Sequence, residues 1–229
     1  MGEISIVIPT LNEETTIRAT LDHLTQSCPG CDIIVVDGGS TDQTVAIART
    51  YARGLISPPG RARQMNAGAR EATGDILWFI HADSSVDPDA MPAIQQVLTN
   101  PAVVGGGLRL AFDDPAWDLR LIAALSNLRA RTLGWIFGDQ SLFVRRSAFD
   151  AIGGFPDIAL MEDLELSRRL RRRGHLALLS AVSRTSARRF RSGGPLRVFG
   201  QMQWLKLQYF CGVNPDALRQ RYTPSVRRR

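Results

Sequence analysis

Over the first hundred residues, the apolar positions of this chain alternate between two rhythms. Unbroken runs at 4–8 (ISIVI), 33–36 (IIVV) and 76–80 (ILWFI) have the length of strands buried on both faces. Between them, Ile17, Leu21 and Leu24, and then Val45, Ala48 and Ala52, recur at three- and four-residue steps and predict helices. Asn12 is placed to cap the first of these. After the turn Pro58-Pro59-Gly60 the spacing predicts a helix over 61–72, and Pro88 opens another that runs to about Leu98. Strand–helix alternation with continuously apolar strands implies an α/β chain whose parallel sheet is covered on both faces.

Beyond residue 100 the pattern is less regular. Val103–Phe112 reads as a long strand loosened by Gly105, Gly106 and Gly107, Trp117–Leu133 has helical spacing, and 140–144 reads as a strand. A turn at Phe155-Pro156 precedes a helix that opens at Leu160-Met161-Glu162-Asp163 and ends in the arginines of 168–173. Strand character returns at 176–179 and in part of the ten residues after it, and 196–211 is apolar and rich in aromatics. No repeat, linker or composition break divides the 229 residues, so one domain is expected.

In open α/β sheets, ligands bind outside the carboxyl ends of the strands. The segments there are Pro9-Thr10-Leu11-Asn12-Glu13, Asp37-Gly38-Gly39-Ser40 and His81-Ala82-Asp83. His81 and Asp83, two apart in an extended chain, point to the same face, so an imidazole and a carboxylate approach one ligand together. Polar clusters gathered on one sheet edge make a candidate site.

Charge narrows the ligand. The net charge is +6, and the basic residues are arginines apart from Lys206. Guanidinium forks suit phosphate oxygens, which keeps nucleic acid, phosphorylated small molecules and anionic lipid in view. No nucleic-acid motif is present, and the acids gather where a phosphate backbone would be repelled, so nucleic acid is not the expected partner. With no signal-peptide pattern and no apolar run near the roughly 18 residues a membrane span needs, a cytoplasmic protein is expected. Trp204, Leu205, Tyr209 and Phe210, with Arg197, Lys206 and the terminal Arg227, Arg228 and Arg229, suit peripheral contact with the inner membrane face or packing against the rest of the chain. Cys28-Pro29-Gly30-Cys31 reads as a turn, since no second pair exists to complete a zinc site.

Five segments, VIPTLNEE, VVDGGSTD, RARQMNAG, IHAD and GGF…MEDLELSRRL, occur in the order of the family-two glycosyltransferases of the GT-A fold, and the likeness runs from Ile4 to Phe190. The sequence also resembles a small bacterial subgroup described as radical-SAM-associated family-two transferases. The resemblance implies a Rossmann-like nucleotide-sugar-binding half over about 1–100, an acceptor half over about 101–190, and a C-terminal helix and basic tail over about 195–229. It implies that Pro9, Thr10 and Glu13 lie along the base and ribose of the donor, that Asp37 accepts from the base, and that Gly38 and Gly39 let the backbone come close. Arg61 and Asn66 fall near base and phosphates, and Arg188 and Arg189 close over the diphosphate. His81-Ala82-Asp83 stands where the family carries Asp-x-Asp. Asp83 then holds Mn²⁺ or Mg²⁺, and His81 is a second ligand or a hydrogen-bonding neighbour. Asp163 is implied as the base of an inverting transfer, with Glu162 orienting the acceptor, although acids in a first helical turn also suit the helix dipole. Gln140 is implied on the acceptor side. The donor is a nucleotide-diphosphate sugar, UDP-linked by preference, and the acceptor is an unidentified hydroxyl or phosphate; the alternative is a GDP-mannose-type transferase acting on a lipid phosphate at the membrane surface. The Gln-x-x-Arg-Trp motif of processive members is absent, which favours addition of a single sugar.

Overall fold

A computed structural model describes residues 2–222; the basic tail at Arg227, Arg228 and Arg229 lies outside them. Eight strands form one sheet in the order β3-β2-β1-β4-β7-β6-β8-β5. They are β1 (Ile4–Thr10), β2 (Asp32–Asp37), β3 (Arg53–Ile56), β4 (Ile76–Phe79), β5 (Ser84–Val86), β6 (Val103–Phe112), β7 (Phe143–Arg145) and β8 (His175–Thr185). The helices are α1 (Ile17–Ser27), α2 (Thr44–Ala48), α3 (Arg61–Glu71), α4 (Ala90–Val97), α5 (Trp117–Leu133), α6 (Arg146–Asp150), α7 (Glu162–Arg171), α8 (Arg188–Gly193), α9 (Pro195–Phe210) and α10 (Pro215–Arg221).

The predicted parallel pairing holds for β3-β2-β1-β4, and β6 with β8 is parallel as well, while β7 and β5 run antiparallel to their neighbours. Alternation along the strands explains the two layers. Ile6, Ile8, Val35 and Trp78 face α1, α2 and α4, whereas Val7, Ile34, Val36, Leu77 and Phe79 face α3, α6 and α7. The order reverses between β1 and β4: β1 leads through α1 to β2 on one side, and β4 lies on the other. That switch point places the segment after β1 beside the one after β4, where a ligand crevice is expected.

Three expectations change. Asn12 does not cap α1, which starts at Ile17 after Thr16; it takes a left-handed φ of 55° and ties the first loop to the second. The glycines of β6 do not loosen the strand but let it pack closely. A Cβ on Gly105 would stand 2.5 Å from the Phe143 carbonyl oxygen, and one on Gly106 would overlap that of Ala177. Residues 138–140 form a single 3-10 turn, and the strand there is confined to Phe143–Arg145. The short β3 and β5 carried too few residues to show a period in the sequence.

Candidate active site

The wall made by β1, β2 and α3 is held by hydrogen bonds within and between its loops. Asp37 ends β2 buried, and its carboxylate accepts from Gly39 N–H at 2.8 Å, Ser40 N–H at 2.7 Å, Ser40 Oγ at 2.5 Å and Thr10 Oγ1 at 3.3 Å. Gly39 adopts φ 97°, the backbone a glycine permits, and that bend turns two N–H groups onto one oxygen. Asn12 Oδ1 accepts from Thr41 N–H at 2.9 Å, and Thr44 Oγ1 accepts from Glu13 N–H at 2.8 Å. From α3, the buried Gln64 donates to the Thr10 and Val36 carbonyls at 2.7 and 2.9 Å, bracing both strand ends.

Across the crevice, His81, Ala82 and Asp83 follow β4 not in the extended chain expected but in a turn, closed by Ser84 N–H donating to the His81 carbonyl at 3.2 Å, and α7 delivers Glu162 and Asp163. Met161, just before α7, is left-handed at φ 73°, which turns the first-turn acids toward the cleft. Gly138 N–H donates to Asp163 Oδ2 at 2.9 Å. A Cβ on Gly138 would overlap His81 Nε2 and stand 3.0 Å from Asp163 Oδ2, so imidazole and carboxylate flank the same glycine. Burial, reinforced by the charge of Glu162, pushes the Asp163 carboxyl up to about 7, against the pull of Arg61. Burial and Arg61 hold His81 well below the ordinary imidazole range, so it is neutral, and its enclosed Nε2 has no hydrogen-bond partner. Arg61 Nη1 stands 3.9 Å from Glu162 Oε1. Arg188 spans the walls, with Nη2 at 3.1 Å from Glu13 Oε2 and 3.7 Å from Asp83 Oδ2. Burial, and then Glu13, raise the Asp83 carboxyl.

The cleft, of about 270 Å³, is lined by Pro9, Glu13, Arg61, His81, Ala82, Asp83, Glu162, Asp163 and Arg189 among the expected residues. Two others are placed elsewhere. Asn66 spends both ends of its amide on the Phe155 backbone, donating to its carbonyl at 2.8 Å and accepting from its N–H at 2.9 Å. Gln140 is fully buried, with Oε1 accepting from Arg129 Nη2 at 2.7 Å, so it aligns Arg129 rather than meeting an acceptor. Thr10, Asp37, Gly38 and Gly39 shape the adjoining loops. Of the aromatic segment, Trp204 and Phe210 face outward, whereas Leu205 is buried and Tyr209 donates to Glu165 at 3.3 Å. Within the 168–173 cluster, Arg168 and Arg169 pair with Glu165 at 3.2 Å on their own helix.

Sequence reasoning passed over Gln64, Asp139 and Arg129, and placed Lys206 at a membrane face or in packing rather than in the cleft that it lines. Gln64 carried a signal, since it shares the buried face of α3 with Gly68, four residues on. Asp139 is raised by burial, and its enclosed Oδ1 has no partner. Burial lowers Arg129 to about 10 and Lys206 to about 8, and both cations stand over the Phe137 ring.

Among the described residues no three His, Cys, Asp or Glu side chains converge as a ready-made ion cage. Asp83, partly open to the cleft with Arg188 at 3.7 Å and the charges of Glu13 and Arg61 acting on it, could serve a hard cation that takes its other oxygens from water or a ligand, the arrangement Mg²⁺ commonly takes. His81 has the neutral state a ligand needs, but its Nε2 is turned against Gly138.

Comparison with known proteins gives this geometry a class. Residues 5–153 match the family model described as glycosyl transferase family 2. The PGL/p-HBAD biosynthesis glycosyltransferase of Mycobacterium bovis is 40% identical over 91 residues, 36% of this chain and 36% of that protein. The mannosyltransferase PcManGT of Pyrobaculum calidifontis, solved with GDP-Man and Mn²⁺, superposes with a TM-score of 0.68 at 19% identity, over 89% of this chain and 62% of that one. Glucosyl-3-phosphoglycerate synthase of Mycobacterium tuberculosis, solved with Mg²⁺ and UDP, gives 0.60 at 23% identity, over 81% and 70%. The fold is that of the GT-A glycosyltransferases. The chain belongs to glycosyltransferase family 2. The matched segment stops short of Glu162 and Asp163, and the chain spans about a third of the length of the mycobacterial relative.

Proposed function

We propose that the protein transfers one sugar, with inversion, from a nucleoside-diphosphate donor to an oxygen acceptor. The observation that carries this reading is the buried Asp163 carboxyl, pushed up to about 7 and aimed by Gly138 N–H into the same cleft as Asp83. A base titrating near neutrality removes a proton from an acceptor hydroxyl effectively. As the acceptor oxygen attacks the anomeric carbon, its proton passes to Asp163 and the bond to the diphosphate breaks. The nucleoside diphosphate leaves with the electron pair.

Asp83 is assigned to a divalent cation, Mn²⁺ or Mg²⁺, with His81 as its neutral neighbour; when bound, the ion supplies Lewis-acid stabilisation to the departing diphosphate. Arg188 and Arg189 supply further positive charge, Pro9, Thr10 and Glu13 border the base and ribose, and Glu162 orients the acceptor. Asp37 already receives four hydrogen bonds, so it contributes mainly by shaping the loop on which the base rests. UDP-sugar is the first donor choice and GDP-mannose the second. Stabilisation by UDP, GDP or CDP, each with Mn²⁺, in a melting assay decides among them. The likeness to the radical-SAM-associated subgroup is kept as part of this proposal. The outward Trp204 and Phe210 favour a second reading of location, peripheral contact with a membrane, in a chain where no described helix is long and apolar enough to cross one.

The test is Asp163→Asn. Transfer should fall by about 10²–10⁴-fold while nucleotide affinity stays within twofold. Loss of both together would make Asp163 a structural residue and remove the base.

A further inference from the structure

The cleft does not end at the acids. It continues between β6, α5, α8 and α9 as an apolar lobe walled by Leu110, Phe112, Ile122, Phe190, Phe199 and Met202. Phe199 and Met202 are only half-buried although they pack on the apolar cluster of this region, so the lobe is open to an occupant. At its neck cations outnumber acids: Arg129 and Lys206 lie 4.1 and 5.4 Å from the Phe137 centroid and act on the buried Asp139, and Arg189, 4.0 Å from the Tyr222 centroid, stands between this neck and the diphosphate side of the cleft. A sugar in such a lobe would leave hydroxyls without partners, which is costly, whereas an alkyl chain gains with every methylene it buries.

The outside of the same helices points the same way. On α5 the exposed Trp117, Leu121, Leu125 and Leu128 recur at steps of four, four and three, opposite the buried Leu119, Ile122, Ser126 and Ala130. The exposed Arg120 and Arg131 flank that stripe, and α9 adds Leu196, Trp204 and Leu207. An outward helix face is ordinarily polar. An apolar one edged with arginine suits a lipid–water interface.

We infer that the acceptor is an amphiphile whose apolar chain lies in the lobe between α5 and α9 and whose head, anionic by the charge of the neck, presents its oxygen at Asp163. The inference rests on the transferase reading and names its acceptor class. The test titrates the full chain with octyl, decyl and dodecyl phosphate below their micelle concentrations, with inorganic phosphate as the chainless probe. Affinity should rise about fourfold per added methylene until the lobe is full. Met202→Trp, which fills the lobe, should flatten the series, and Phe199→Ala should move its plateau to a longer chain. Equal affinity for inorganic and dodecyl phosphate overturns the inference. So does a series unchanged in both variants, or one lost instead in Leu128→Glu, which would put the chain on the outer face. Stabilisation by UDP or GDP with Mn²⁺ in the same preparations reads the nucleotide side alone: its absence in the unaltered protein would sink the transferase reading, while the alkyl series is judged separately.

Discussion

The two walls of the cleft are built in opposite ways. On the wall of β1, β2 and α3, polar groups meet partners inside the protein: Asp37 receives four donors, Gln64 braces two carbonyls, and Asn12 and Glu13 are tied to Thr41 and Thr44. On the wall of Gly138 and α7, His81 Nε2 and Asp139 Oδ1 are enclosed without partners, and Asp163 and Asp139 are acids raised by burial. A satisfied wall is preorganised and binds a ligand without rearranging; unpaired buried groups carry a standing cost that a ligand can relieve. On the proposed reading, the satisfied wall would seat the nucleotide and the unsatisfied one would face the acceptor.

The largest effect is expected where the walls meet. Asp83 and Arg188 join them, and the cation assigned to Asp83 would serve the leaving group rather than either wall. Asp83→Ala should lower transfer by about 10³-fold, and chelation of divalent ions should do the same, reversed by Mn²⁺. Undiminished turnover with chelator present would remove the ion from the reading and leave the arginines of the cleft, Arg61, Arg188 and Arg189, to carry the charge over the diphosphate.

A smaller effect separates the walls directly. Asp37→Asn replaces an acceptor oxygen by an amide that faces donors already in place, so at least one N–H or O–H loses its partner. A cost of about 1–3 kcal/mol follows, read as a fall in melting temperature of several degrees with weaker nucleotide stabilisation. Gly138→Ala touches only the other wall, because its Cβ meets His81 and Asp163. It should lower transfer by about tenfold to a hundredfold while nucleotide stabilisation is kept. If Asp37→Asn left melting unchanged, or Gly138→Ala abolished nucleotide binding, the division into two independent walls would fail.

This division also accounts for what was legible in the sequence. Asp37, Gly39 and Ser40 bond within three residues of one another, and Thr10 reaches them across adjacent strands whose apolar runs were plain, so that loop and its sheet edge could be read along the chain. The strand order around β7 and β8 could not, since it depends on glycines that fit only against distant backbone, as Gly106 does against Ala177. Asn66 and Gln140 were assigned to ligands by resemblance alone, yet their partners are Phe155, 89 residues away, and Arg129 on α5. The apolar lobe was hidden for a similar reason: Ile122 and Met202 lie far apart in the chain and line one space only once α5 and α9 are set side by side.

The smallest prediction concerns stability and needs no substrate. The Asp163 carboxyl titrates at about 7 in the folded chain against an ordinary value of 3.8. A group raised in this way stabilises the fold fully below its unfolded pKa, and that contribution is lost as pH rises through the folded one, here between roughly pH 4 and pH 7. At pH 8 the unaltered protein therefore holds a buried charge that Asp163→Asn lacks, while at pH 5 both side chains are neutral in the folded state. Melting of Asp163→Asn relative to the unaltered protein should rise by about 5 °C on going from pH 5 to pH 8. Glu162→Gln removes the like charge that helps raise Asp163, so it should flatten the pH dependence of the unaltered protein and shift the acid limb of transfer to lower pH. An offset for Asp163→Asn that is the same at both pH values would mean that Asp163 is ionised throughout, fully compensated by Arg61 and Gly138 N–H, and the wall of α7 would then be as satisfied as that of β1, β2 and α3.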